Sequence, residues 1–233
     1  EKVSKEGLKK WNKELGRIKL SDTNAKNLKI FYTAMYHTLI APTTYCDING
    51  EYRGHDNKIS KAEKGVNYST FSLWDTYRAL HPLFTITQTE RVGDFINSML
   101  AIYDQQGKLP VWPLLGGETD QTPGYNALNV IADAYLKKLK STLEYIEVSD
   151  CKMQEGSFRA DVNVSIHKPG TPFGTRTEMK NMNSFKSISR AIEYEIQRQS
   201  EVLDNGGIIE QETLRWDDVS GKTFSMRDKE DAQ

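Results

Sequence analysis

The spacing of apolar residues changes along the chain, from a helical period in the first part to a strand period in the second. Between residues 24 and 40, apolar residues recur at three- and four-residue intervals, which predicts a helix with one buried face. Similar spacing predicts helices over 72–85, 90–106 and 125–139. Gly107 can end the third of these in a left-handed conformation. The first part is therefore predicted to be all-α.

The segment between residues 43 and 68 is polar, contains glycine and is long enough to need a separate interpretation. The sequence predicts a loop or a loose hairpin here, and long ordered loops in compact domains tend to be functional. A second irregular stretch, 109–124, begins with an extended run and continues through Gly116 and Gly117 into a polar turn.

The apolar period becomes two at residue 158, which predicts a strand with one apolar and one polar face. A turn at 169–172 leads to a partner strand over 174–180, a helix over 184–204 and a second hairpin over 208–226. This order, ββαββ, predicts an α+β fold of antiparallel hairpins packed on one long helix. The inward residues are expected to be Val162, Val164 and Ile166. Along the helix, the predicted apolar stripe is Phe185, Ile188, Ile192, Ile196 and Leu203.

Composition excludes several classes of function for this chain of 233 residues. Its net charge is -1, so no strong field for nucleic acid or membranes is expected. The two cysteines, Cys46 and Cys151, lack a metal-binding spacing and are expected to be reduced thiols. No apolar run approaches the roughly 20 residues that span a bilayer. The first residues contain no apolar signal core and resemble the middle of a longer protein, so we expect no membrane contact and a cytoplasmic location.

The candidate chemistry of the first part lies at helix ends. Trp74 and Asp75 begin a predicted helix, with Arg78 one turn later, and an aromatic ring beside a carboxylate is a common way to hold a sugar. Glu118 adds an acid in the second loop. The alternatives are a buried tryptophan, an aspartate at a helix N-terminus and a solvated turn. The scattered histidines, His37, His55 and His81, form no metal pair.

Five runs of the first part resemble the calcium-dependent α-mannosidases of glycoside hydrolase family 92: residues 31–42, 52–54, 71–82, 109–112 and 131–137. The resemblance implies a fragment of an (α/α)6 barrel that acts on mannoside glycans, with Trp74 and Asp75 at the sugar subsite and Arg78 and Glu118 beside it. The family inverts configuration with an acid, a base and a bound calcium ion. Those groups lie downstream of this stretch in the family and are absent here, so no catalytic residue is assigned.

The second part offers a mixed-charge face, which is either a lattice of ion pairs or a site. Residues 148–165, 173–185, 191–199 and 211–213 resemble the B subunit of aspartyl/glutamyl-tRNA amidotransferase. The resemblance implies magnesium and ATP as cofactors, and tRNA and the A and C subunits as partners. The family's metal-binding residues lie upstream, in the region that the first part replaces. The implied catalytic cradle is Arg159, Asp161, Asn163, Glu178, Lys180 and Asn183.

The two resemblances meet within residues 134–139, which divides the chain into residues 1–138 and 139–233. One interpretation is a chimera of two incomplete enzymes, natural or engineered, or a sequence assembled from two sources, inactive and without bound calcium, magnesium or ATP. A second is an active α-mannosidase fragment, and a third is an amidotransferase fragment that acts as a binding module. The mannosidase family is commonly exported, whereas the amidotransferase acts on tRNA, so a joint function has no chemical logic.

Overall fold

A computed structural model describes residues 2–62, 65–168 and 171–226. The chain forms two compact units, which divide between Gly124 and Tyr125. Within the described ranges, no helix combines the length and the apolar character needed to cross a membrane.

The first unit contains, within its described part, five helices and three pairs of short strands. The helices are α1 (Lys2–Leu15), α2 (Ala25–Thr38), α3 (Leu73–Thr76), α4 (Leu80–Thr87) and α5 (Thr89–Gln106). The strands are β1 (Thr43–Thr44), β2 (Glu51–Arg53), β3 (Ile59–Lys61), β4 (Tyr68–Ser69), β5 (Pro113–Leu114) and β6 (Gly117–Glu118). They pair antiparallel as β1 with β4, β2 with β3 and β5 with β6. The unit is thus mixed, and the all-α prediction for it was wrong because both polar segments contain paired strands.

Local sequence explains where these helices begin and end. Asn24 caps α2 by accepting a hydrogen bond from the backbone N–H of Lys26. Gly107 ends α5 with a φ of 76°, as predicted. The single helix predicted over 72–85 is divided into α3 and α4. Pro82 explains the break, because proline lacks an N–H and is tolerated only in the first turn of a helix.

The core of the first unit is aromatic and is centred on α5. Phe95 and Met99 of α5 are buried, and Phe71 and Phe84 pack edge-on or tilted around Phe95. In contrast, α1 has no buried residue, and α2 buries only Met35. The apolar faces of these first two helices are therefore largely uncovered within the described part of the unit.

The second unit is a four-stranded sheet with two long helices. It contains α6 (Asn126–Tyr145), a short 3-10 turn (Met153–Glu155), β7 (Val162–Val164), β8 (Thr177–Lys180), α7 (Phe185–Asp204), β9 (Thr213–Asp217) and β10 (Lys222–Ser225). The strand order is β10-β9-β8-β7. The outer pairs are antiparallel, and α7 connects the central strands β8 and β9, which are parallel.

The predicted facing of β7 is confirmed. Val164 is buried in the cluster that contains Ile188 and Ile192 of α7, and Val162 and Ile166 are partly buried against it. Arg159, Asp161 and Asn163 are exposed. A shift of one residue would reverse this arrangement and bury the charges.

Two features of this core differ from the predicted helix stripe. Leu203 is 43% exposed and lies outside the core. The buried positions that continue the stripe of α7 are instead Ala191, Glu195 and Gln199. Helix α6 covers part of the same cluster through Leu128, Ala132 and Leu136, which are one turn apart.

Candidate functional site

An exposed tryptophan marks the candidate sugar site of the first unit. Trp74 lies in α3 and is 44% exposed, so the buried-tryptophan alternative does not hold. The Arg78 guanidinium lies 5.8 Å from the centre of the Trp74 ring and 4.9 Å from that of Tyr77. It also donates a hydrogen bond from Nε to the Tyr77 hydroxyl. These contacts hold the arginine over an indole ring that is partly exposed.

The carboxylate of Asp75, the next residue in α3, is bound by a serine. The Ser72 hydroxyl donates a hydrogen bond to Asp75 Oδ2, and it accepts one of 2.7 Å from the indole Nε1 of Trp112. Asp75 is exposed. The structure places Arg78 against Trp74 and connects Asp75 to Ser72 and, through Ser72, to Trp112, two residues that sequence spacing did not single out.

Glu118 organises the second loop. Its Oε1 accepts hydrogen bonds from the backbone N–H groups of Trp112, Thr119 and Asp120 at 2.8–3.0 Å, and its Oε2 accepts one from Val111 at 2.9 Å. Four such donors occupy most of the lone pairs of a carboxylate. The loop that carries Trp112 is therefore built around Glu118.

Two histidines of this unit are structural. Burial among Phe71, Phe84 and Phe95 lowers the pKa of His81 to about 4. Burial also lowers the pKa of His55, whose Nδ1 lies 3.1 Å from Gln106 Oε1. Across the described ranges, no three His, Cys, Asp or Glu side chains are grouped to hold a metal ion.

Among the described residues, the carboxylates at the candidate sugar site do not fit the ions that the two resemblances imply. Calcium takes six to eight oxygen ligands and magnesium prefers carboxylates with phosphate oxygens. In the first unit, the Glu118 carboxylate is occupied by N–H groups and Asp75 Oδ2 by a hydroxyl. We therefore assign no chemical step to calcium or magnesium.

The polar face predicted for the second unit is the outer face of its sheet. Asn163 pairs with Glu178 across β7 and β8, and Thr213 of β9 donates a hydrogen bond of 3.2 Å to Glu178 Oε2. Lys180 Nζ lies 3.4 Å from the same oxygen. Five of the predicted cradle residues thus lie on β7, on β8 or just before β7. Asn183 lies apart, at the N-terminal end of α7, where its Oδ1 accepts a hydrogen bond from Ser187.

A buried polar cluster lies on the opposite face and was missed. Glu195 and Gln199 are fully buried. Glu195 Oε1 accepts hydrogen bonds from Thr177 Oγ1 at 2.7 Å and from Gln199 Nε2 at 3.0 Å, and Arg198 pairs with both carboxylate oxygens. Sequence did contain a signal, because positions 188, 192, 195 and 199 continue one helical face.

Trp74, Asp75 and Arg78 thus lie at or just after the short helix α3 of the first unit. A family model for the glycosyl hydrolase family 92 catalytic domain matches residues 1–200, and the chain belongs to this family.

Solved structures agree for the first part. A family GH92 alpha-mannosidase from Bacteroides thetaiotaomicron is 46% identical, with a TM-score of 0.54, over 56% of this chain and 18% of that one. A GH92 inverting mannosidase from the same organism is 27% identical, with a TM-score of 0.54, over 65% of this chain and 21% of that one.

The C-terminal part matches a different protein. The B subunit of the aspartyl/glutamyl-tRNA(Asn/Gln) amidotransferase from Caldicellulosiruptor bescii is 64% identical over 99 residues, 42% of this chain and 21% of that protein. The protein of the same name from Lachnoclostridium phytofermentans is 65% identical over 101 residues, 43% of this chain and 21% of that protein. The chain therefore combines a family-92 mannosidase-like region with a region similar to the amidotransferase, and it spans about a fifth of the relatives in each case.

Proposed function

We propose that the first unit binds mannosides through Trp74, Asp75 and Arg78, and that this chain does not hydrolyse them. The supporting observation is the short run at and just after α3, where a partly exposed indole, a guanidinium over its ring and an exposed carboxylate lie within five residues. Sugar rings stack on aromatic faces and their hydroxyls donate to carboxylates. In this proposal about four of the twelve helices of the family's (α/α)6 barrel are present in this chain.

The absence of hydrolysis follows from the chemistry of inversion. An inverting glycosidase needs an acid and a base whose carboxyl groups are about 6.5–9.5 Å apart, with room for a water molecule. Glu118 is committed to four backbone N–H groups. Asp75 is therefore the one carboxylate of the proposed site that remains open to a substrate.

Titration of the full chain with methyl α-mannoside, followed by calorimetry, tests this proposal. We expect saturable binding that weakens at least 10-fold in Trp74→Ala. A matched control is Trp11→Ala, because Trp11 is also partly exposed but lies in α1 against Tyr36. No binding by the unaltered chain, or equal losses in both variants, would refute the mannoside site.

We propose as a second candidate that the C-terminal part is a remnant of the amidotransferase cradle. It is supported by the exposed polar sheet face of Asn163, Glu178 and Lys180 and by the 64% identity. This function would place the chain in the cytoplasm with tRNA and with the A and C subunits. ATP-dependent phosphorylation of glutamyl-tRNA, with and without added A and C subunits, tests it. Activity lost in Lys180→Ala but kept in Lys186→Ala would favour this candidate over the mannoside site.

A further inference from the structure

The hydroxyl of Ser72 is used in an unusual way for a residue at the start of a helix. Ser72 precedes α3 as its N-cap, yet its side chain accepts no hydrogen bond from the backbone of that helix. The backbone N–H groups of Asp75 and Thr76 are both bound by the Ser72 carbonyl oxygen, at 3.1 Å. The hydroxyl is left to connect two side chains instead, the Trp112 indole and the Asp75 carboxylate.

The direction of this connection is fixed by chemistry. An indole N–H can only donate a hydrogen bond and an ionised carboxylate can only accept one. The single Ser72 proton must therefore go to Asp75 Oδ2, while its oxygen accepts from Trp112 Nε1 at 2.7 Å. No hydrogen bond from the described residues reaches Asp75 Oδ1. This oxygen is the one that remains to accept from a ligand hydroxyl.

Trp112, which donates to Ser72, is itself held in place by hydrogen bonds of its backbone. The Trp112 backbone N–H donates to Glu118 Oε1 at 2.8 Å, and the Trp112 carbonyl oxygen accepts from Thr119 Oγ1 at 2.7 Å. A chain of hydrogen bonds thus runs from the Glu118 loop to the carboxylate at the sugar site, and such chains rigidify the groups they join.

We infer that Ser72, Trp112 and Glu118 are positioning residues that orient Asp75 so that Oδ1 alone faces the ligand. This inference rests on the proposed mannoside site, which it deepens. It gives Glu118 a role at that site without contact to the sugar. The site then selects a ligand that donates one hydroxyl to a fixed oxygen beside the Trp74 ring.

The test combines NMR of the tryptophan indole N–H groups in the full chain with calorimetry. Trp112→Phe assigns the Trp112 indole signal. Asp75→Ala and Ser72→Ala are each expected to shift this signal, whereas Ser72→Thr, which keeps the hydroxyl, leaves it close to its original position. An unchanged signal in Ser72→Ala would overturn the inference whether or not the chain binds a mannoside.

The affinity for methyl α-mannoside then distinguishes a positioning role of Ser72 from a general loss of structure. Ser72→Ala is expected to weaken binding of methyl α-mannoside about 10-fold, or about 1.4 kcal/mol, and Ser72→Thr to restore it. In an Asp75→Ala background, Ser72→Ala should have no further effect, because its role acts through Asp75. A 10-fold loss that persists in that background would show a merely structural serine and overturn the inference. If the chain binds no mannoside, the proposed function fails. The NMR result still shows whether Ser72 connects Trp112 to Asp75.

Discussion

Asn129 Nδ2 donates a hydrogen bond of 2.6 Å to Glu193 Oε1 and so connects α6 to α7 within the second unit. Residues 131–137 of α6 resemble the mannosidase family, whereas 191–199 of α7 resemble the amidotransferase. The compact unit that begins at Tyr125 therefore starts before the point where the resemblance changes. Helix α6, which resembles the mannosidase family, thus covers part of a core in the region that resembles the amidotransferase.

This relationship predicts that α6 stabilises the second unit. Asn129→Ala is expected to lower the free energy of unfolding by about 1 kcal/mol, because it removes a hydrogen bond to a charged, partly solvated group. Leu136→Ala should cost about 2 kcal/mol, since Leu136 packs on the core cluster. Tyr135→Ala is the control, because that side chain is 66% exposed on the same helix. Urea unfolding followed by circular dichroism measures all three, and equal effects would contradict the packing.

The buried cluster at Glu195 predicts a larger effect. Glu195→Ala leaves Thr177, Gln199 and the partly exposed Arg198 without their shared acceptor. Removing one partner of a buried pair costs about 3 kcal/mol or more. Glu201→Ala, on the exposed side of the same helix, should change stability by less than about 0.5 kcal/mol. A loss below about 1 kcal/mol for Glu195→Ala in the same urea titration would argue against the burial of this charge.

His81 predicts a pH dependence of the first unit. Burial lowers its pKa to about 4 from an ordinary value of 6.5, so the folded state keeps it neutral where the unfolded state binds a proton. As pH falls from about 6.5 to about 4, this histidine should therefore remove up to about 3 kcal/mol of stability. Thermal melts of His81→Phe should lose this part of the pH dependence, whereas His37→Phe, at an exposed position, should keep it. Identical pH profiles for all three proteins would contradict the assignment.

The mannoside site predicts binding without turnover. With calcium present, the chain should release mannose from an aryl α-mannoside no faster than buffer alone does. The reason is that inversion needs two carboxyl groups, and Glu118, the other carboxylate of the proposed site, is occupied by backbone N–H groups. The measurement is mannose release over hours at micromolar protein, with Asp75→Ala as the matched variant. Calcium-dependent release that disappears in Asp75→Ala would show that the active-fragment interpretation is correct.

Sequence periodicity predicted the elements where one spacing dominates a long segment. Helix α7 and the facing of β7 follow from clear periods of about 3.6 and 2. In the first unit, a loose hairpin was one of the two predictions for 43–68, and β2 and β3 form a hairpin there. The other strand pairs were not predicted, because strands of two residues are too short to show alternation. The extension of α6 to Tyr145 was also missed, since the apolar pattern weakens where the resemblance changes.

The candidate site was predictable only in its contact residues. Trp74, Asp75 and Arg78 are close in sequence, at or just after one short helix. Ser72 and Trp112 are 40 residues apart, and the hydrogen bond between them depends on how the Glu118 loop folds back. The buried Glu195 was hidden because a charged residue on a helix is ordinarily expected to face solvent.

One polypeptide carries the mannosidase-like and the amidotransferase-like regions, and their junction lies within the continuous helix α6. Digestion with a protease that cleaves before aspartate should release residues 133–149, which run across the join from Asp133 to Ser149. The continuity of the chain is measured directly by mass spectrometry of this peptide, with fragmentation through Lys137, Lys138 and Leu139. If the two regions form one chain, we expect an unbroken fragment series across these three residues. The continuous chain would be contradicted if mannosidase-like and amidotransferase-like peptides ended on either side of Lys138 and none spanned it.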